Sequence, residues 1–379
     1  MKQKLFTLLT ALLFLNSGAW ATEINLKMDP TVNIANKKVA LINGAYVTRN
    51  GSNTSVTSNG FTTGGGNSFV VFNVTEKSII KAYLCNTSNN AYSGKTISCG
   101  SVSSEVWTAL GTAQTNDTQY QMTTSNVTSA TNKTVAFDKN NKDAVKTYEF
   151  VATTSGYYSV YWASTINASV YLTKIEIIPA ESVTIGATGW STYSNAKVLD
   201  FANAIPSDGE SDALKAYMVT GFSGTALTKS DALDDAPGST GLLLNGTAGE
   251  TYTIPVLASS STSTASNCLQ ASVSGGTVTA GTGTNVNYVL MNVGGSPVFQ
   301  WIGATSATLG ANKAYLTLDG GPKSAGAHGL WFDDETTGVA SVSKPQTTTN
   351  QEVYNLAGQR VAQPTKGLYI LNGKKVVIK

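Results

Sequence analysis

One imidazole, three groups of carboxylates and a scatter of aromatic rings are the side chains of this 379-residue chain that could do chemistry. The imidazole is His328, the sole histidine, in a Gly/Ala-rich stretch beside Gly329. A Ser-His-Asp or Cys-His apparatus would have to run through it, and a glycine-flanked loop gives an imidazole no rigid shell. A multi-histidine metal site within the chain is excluded. The acids gather at Asp208-Gly209-Glu210-Ser211-Asp212, at Asp231, Asp234 and Asp235, and at Asp333-Asp334-Glu335. Two carboxylates at the right separation hydrolyse glycosides. Several on a bent loop can hold calcium, although none of these groups has EF-hand spacing. All three fall in expected loops or at strand ends, where acids solvate a surface, so no catalytic residue, metal ligand or cofactor is assigned.

The aromatic rings give the better lead. Sugars present apolar C–H faces that stack on Trp and Tyr, while amides and charged groups bond their hydroxyls. Strand alternation over Tyr157–Trp162 sorts Tyr158, Val160 and Trp162 onto one face and Tyr157, Ser159 and Tyr161 onto the other. The first set reads as core and the second as a ligand platform, with Trp107 and Tyr157 as the candidate binding residues. Gly64-Gly65-Gly66 precedes a strand instead of following one, so it fails the phosphate-loop pattern and reads as a flexible turn. Among the three cysteines, Cys85 and Cys99 could pair across a hairpin-like excursion, leaving Cys268 as a buried free thiol.

These residues must be positioned by strands. Charged residues are 13% of the chain, about half the usual share. Ser, Thr, Gly and Asn fill the gap, while 41% of the chain stays hydrophobic, which excludes a disordered composition. Short β-branched and aromatic runs separated by Gly, Asn and Ser turns predict an all-β protein with two β-sandwich-like domains, at 22–180 and 182–334. Within the first, Phe69-Val70-Val71-Phe72 predicts a central strand covered on both faces, and Glu105–Leu110 reads as a further strand. A Thr/Ser/Gln-rich linker is expected at 335–350, and a small β segment at 351–379.

Both ends carry addresses. Lys2 and Lys4, the apolar run Leu5–Leu15 and Ala19-Trp20-Ala21 predict a secretory signal peptide over 1–21, too short to span a membrane. No later stretch approaches about eighteen consecutive apolar residues, so no transmembrane segment is expected in the mature chain. Its cleavage removes two lysines and no acid, taking the formal charge from +2 to 0. A neutral chain with only two arginines, Arg49 and Arg360, has no electrostatic footprint for nucleic acid. At the other end, Tyr354-Asn355-Leu356-Ala357-Gly358-Gln359-Arg360-Val361 is followed by Gly367-Leu368-Tyr369-Ile370, then Gly373-Lys374-Lys375 and Lys379. This order resembles the C-terminal sorting domain of Bacteroidetes proteins exported by the type IX secretion system. The resemblance covers about the last thirty residues and implies sorting roles for Tyr354, Gly358, Arg360, Gly367, Tyr369 and Lys379. A β hairpin that merely closes the fold is the other reading of the segment.

Two weaker resemblances lie between the ends. Gly66–Val74, Ser155-Gly156-Tyr157-Tyr158 and Leu172–Ile177 resemble carbohydrate-binding-like β-sandwich modules that accompany glycan-degrading enzymes. Thr188–Tyr193, Gly241–Leu244 and Gly310–Leu316 resemble a β module that often precedes the sorting segment, and that likeness implies no chemistry. The first of these likenesses supports a fold more than a ligand; with the two end segments, it is consistent with a secreted or cell-surface, non-catalytic binding protein for glycan or another extracellular ligand, with the type IX machinery as partner. A structural or adhesive surface protein and a polysaccharide-active enzyme of unrecognised type are the alternatives.

Overall fold

A computed structural model describes residues 21–303, 306–323, 329–332, 339–342, 353–355, 361, 366–371 and 374–378. His328, Asp333, Asp334, Glu335, Gly358, Arg360, Lys379 and the expected signal peptide up to residue 20 lie outside them. The protein is all-β, with one α-helix longer than a turn among the described residues.

The first domain is a two-sheet sandwich. One sheet is antiparallel and six-stranded, with Gly156–Trp162 paired between Tyr92–Val102 and Ser68–Val74. The opposing sheet is built on Ser78–Asn86, which pairs with Val145–Ala152 on one side and Val170–Thr184 on the other. Val70, Phe72, Val160 and Trp162 from the first sheet meet Ile80, Leu84, Leu172 and Ile175 from the second in one core. The Phe69–Phe72 run is buried throughout, and alternation explains why. Val70 and Phe72 face the sandwich core, while Phe69 and Val71 face a second apolar layer outside the sheet.

That outer layer is supplied by a helix where a strand was expected. Ser104–Thr115 is α-helical, with the Ser103 hydroxyl accepting from the Val106 amide and Glu105 in the first turn. Val106 and Trp107 suggested β structure by residue type. The spacing of Val106, Leu110 and Ala113 is helical, however; it buries Leu110 and Ala113 and packs Val106 and Leu110 with Phe69, Val71 and Tyr161. Tertiary burial of that stripe and the serine cap outweigh a modest β propensity.

The glycine run is a packing element and not a flexible turn. Trp162 Nε1 donates to Gly65 O at 2.8 Å. A Cβ at Gly65 would stand 2.7 Å from Arg49 Nη1, and one at Gly66 would stand 2.6 Å from Ala163 O. Arg49 is buried beneath this run; its Nε donates to Ser68 Oγ at 2.7 Å and its Nη2 to Thr62 O at 2.6 Å. Cys85 and Cys99 are free, as is Cys268. Cys99 points into the sandwich core and Cys85 sits half-buried on the opposing sheet, so the expected hairpin pairing does not form. Cys268 is half-buried instead of fully enclosed.

Val170–Thr184 runs through the expected boundary between the domains. Its first ten residues pair with Ser78–Asn86, and Ala180–Thr184 pair with Thr251–Leu257 of the second domain. Lys197 reinforces the junction, reaching Glu76 at 2.5 Å and Glu181 at 2.9 Å. Beyond it, one core gathers Tyr193, Leu244, Tyr252 and Ile254, and another gathers Leu243, Tyr288, Phe299 and Leu316. The terminal segment forms a four-stranded sheet in the order Val339–Val342, Lys374–Ile378, Gly367–Leu371, Val353–Tyr354. Val339–Val342 comes from the expected linker and pairs in parallel with the last strand.

Burial sets the alkaline limit of this fold. Tyr193 and Tyr288 are almost wholly enclosed, and burial pushes both phenols from an ordinary value of 10.0 up to about 12. Burial and the hydrogen bond to Glu176 also raise Tyr83. Between pH 10 and 12 the unfolded chain has therefore lost phenolic protons that the folded chain keeps, so stability falls as pH rises. Arg49 acts in the opposite sense, because burial lowers its guanidinium to about 10, but it is one group against three. The urea midpoint is expected to fall across this window, with tyrosinate absorbance rising as the chain unfolds; a flat midpoint to pH 12 would contradict the burial of these phenols.

Candidate functional site

Trp107 and Tyr157 are brought together, but onto each other. The Trp107 ring, on the helix, stacks on Tyr157 of the underlying strand with centroids 4.6 Å apart and planes at 12°. Tyr46 adds a tilted contact to Trp107 at 4.5 Å. Burial, and then Tyr157, hold the Tyr46 phenol above its ordinary range. Gly111 lets the helix come this close, since a Cβ there would stand 2.8 Å from Tyr46 Oη. Tyr157, Ser159 and Tyr161 do share the outer face of the sheet, as alternation requires. The helix covers that face, leaving Ser159 and Tyr161 buried and Trp107 and Tyr157 half-buried. The faces that Trp107 and Tyr157 turn to one another are thereby occupied.

Three acids of the second domain, Asp208, Glu250 and Asp235, are held by nearby amides and hydroxyls. The Asp208 carboxylate accepts from the Glu210 and Ser211 amides at 2.9 Å each and from the Ser211 hydroxyl, and that hydroxyl chiefly lowers its pKa. Glu250 Oε1 accepts from the Ser207 amide at 2.6 Å and the Ser207 hydroxyl at 2.5 Å. Asp235 accepts from the hydroxyls of Ser260 and Thr262. Among the described residues no three His, Cys, Asp or Glu side chains gather as metal ligands.

A different arrangement lies in the second domain, on the outer face of the sheet ordered Leu269–Ser272, Lys313–Asp319, Asn285–Val293, Ser296–Trp301. Alternation sends Ala314, Leu316 and Leu318 inward and leaves Tyr315 and Thr317 half-exposed outward. On the neighbouring strand Val286 and Tyr288 are buried, with Asn285 and Asn287 on the opposite side. The register sets Gln270 opposite Tyr315 and Asn287 opposite Thr317. Thr317 Oγ1 donates to Asn287 Oδ1 at 2.8 Å, and Asn287 Nδ2 donates to Thr279 O at 3.0 Å. The turn from Thr279 to Asn285 walls this floor. It depends on Gly281, whose φ is +110° and where a Cβ would meet Asn285 O at 2.1 Å. The open groove so formed measures about 320 Å³, and no charged residue lines it. Composition alone did not single out Tyr315, Gln270 or Asn287, because Asn, Thr and Gln recur along the whole chain; only the register gathers them.

A scan against protein-family models gives no match, and a search of curated proteins gives none either. Solved structures offer distant likenesses. The crystal structure of tripeptidyl peptidase 2 aligns with 74% of this chain at 10% identity and a TM-score of 0.24; the chain spans 27% of that protein. A triple jelly-roll turret protein of an archaeal virus aligns with 63% of the chain and 81% of its own at 10% identity and a TM-score of 0.19. At these scores neither likeness carries an argument about fold or activity.

Proposed function

We propose that this chain is an exported, non-catalytic binding protein of the cell surface or medium. Its β domains are the cargo, extracellular glycan is the ligand, and the last segment is an address read by the type IX secretion machinery. The observation that supports the address is the terminal sheet. Gly367–Leu371 pairs with Val353–Tyr354 on one side and Lys374–Ile378 on the other. Three pieces of the motif that are separate in sequence thus lie side by side. Tyr354 lies opposite Ile370, next in sequence to Tyr369. A folded sheet of this kind gives a receptor a fixed surface to recognise, which an extended tail would not. The mature charge of zero and the uncharged, Ser/Thr/Asn-rich strands suit a cargo that meets neutral polyols rather than nucleic acid.

Residues 339–379 placed behind a signal peptide and a folded reporter test this reading. In a bacterium with type IX secretion the reporter is expected on the surface or in the medium. A reporter found wholly in the periplasm would count against the segment as an address.

A further inference from the structure

We propose that the groove floored by Gln270, Asn287, Tyr315 and Thr317 binds a neutral glycan, and that the second domain, not the first, carries the ligand site. The inference rests on the glycan-binding reading above and assigns it a place and a charge class.

The argument begins from the lining. Carboxamides donate and accept hydrogen bonds, as do sugar hydroxyls, so Gln270, Asn285 and the second amide hydrogen and lone pair of Asn287 can bond a polyol in either sense, while Thr317 Oγ1, already donating to Asn287, can accept. A phosphate, sulfate or uronate would need a cationic partner, and the lining holds neither Lys nor Arg. On the same outer face the strand carries Lys313 two residues before Tyr315 and Asp319 two residues after Thr317, opposite charges that leave the groove without a net field for an anion. A greasy ligand would need an apolar wall, and the lining supplies a single ring, Tyr315. Half-exposed on the outer face of a paired strand, that ring can stack on one sugar face.

The groove is also held in shape. Asn287 is fixed from two sides by Thr317 and the Thr279 carbonyl, so its amide enters binding already oriented. Its floor is strand and not loop, which keeps the polar groups in register with one another. A volume of about 320 Å³ lies at the lower end of ligand sites, room for one or two sugar rings of a longer chain passing through an open groove.

The test is binding of the purified mature chain, from Thr22, to immobilised neutral and acidic polysaccharides. The native chain is expected to retain neutral glycans. Tyr315→Ala and Gln270→Ala, both on the outer face, are expected to melt as the native chain does and to bind at least about tenfold more weakly. Native-like binding by both variants would place the ligand elsewhere, overturning this site and leaving the glycan reading intact. Selective binding of acidic glycans would overturn the charge class alone. No binding to any glycan would overturn the site and the glycan reading together, whatever becomes of the secretion address.

Discussion

Replacing Trp162 by alanine is expected to destabilise the first domain by about 3–5 kcal/mol. The indole is fully buried, packs on Phe61 with centroids 5.1 Å apart, and sits among side chains from both sheets. Its removal forfeits transfer free energy and leaves a cavity that two paired sheets cannot close, since neither can shift without breaking ladder hydrogen bonds. It also deletes the donor to Gly65 O, loosening the glycine run over Arg49. Against a total stability of about 5–15 kcal/mol, a loss of this size lowers the melting temperature by on the order of 10 °C. Trp162→Phe separates the two contributions, keeping most of the packing and losing the hydrogen bond, and should cost less. Chemical denaturation checks both; a loss below about 1 kcal/mol for Trp162→Ala would show that this residue does not anchor the sandwich.

Much of the fold was legible in the sequence because the strands follow simple rules. Phe69–Phe72 announced a strand covered on both faces, and Tyr158, Val160 and Trp162 announced an inward face by alternation alone. What covers the outer face was not legible. Val106 and Trp107 have β-type side chains, and the cap at Ser103 with helical spacing to Leu110 and Ala113 outweighs them only once the sheet offers a surface to bury that stripe. Nor did the platform reading of Trp107 and Tyr157 foresee that the two rings stack on each other across a helix–sheet contact. Gly64-Gly65-Gly66 read as slack because sequence does not show Arg49, Ala163 and Ala168 pressing on it. Cys85 and Cys99 looked close along the chain, yet successive strands here belong to opposite sheets. The groove at Tyr315 was hidden for a topological reason. Gln270, Asn287 and Tyr315 come from three strands, and their meeting is a matter of register.

Removing the terminal sheet should have the largest effect of all, on location and not on the fold of the domains. The core clusters of both domains are formed before residue 333, and among the described residues none of their members lies in the terminal sheet. A chain ending before Val353 is therefore expected to fold with the native melting temperature of the two domains, and, on the proposed reading of the segment, to fail to leave the periplasm. The direct measurement is the distribution of this protein between periplasm, cell surface and medium, for the full chain and for the chain lacking Val353–Lys379, in a host with type IX secretion. The account predicts that the full chain reaches the surface or medium and that the truncated chain accumulates, folded, in the periplasm. Equal delivery of the two chains outside the cell would contradict it.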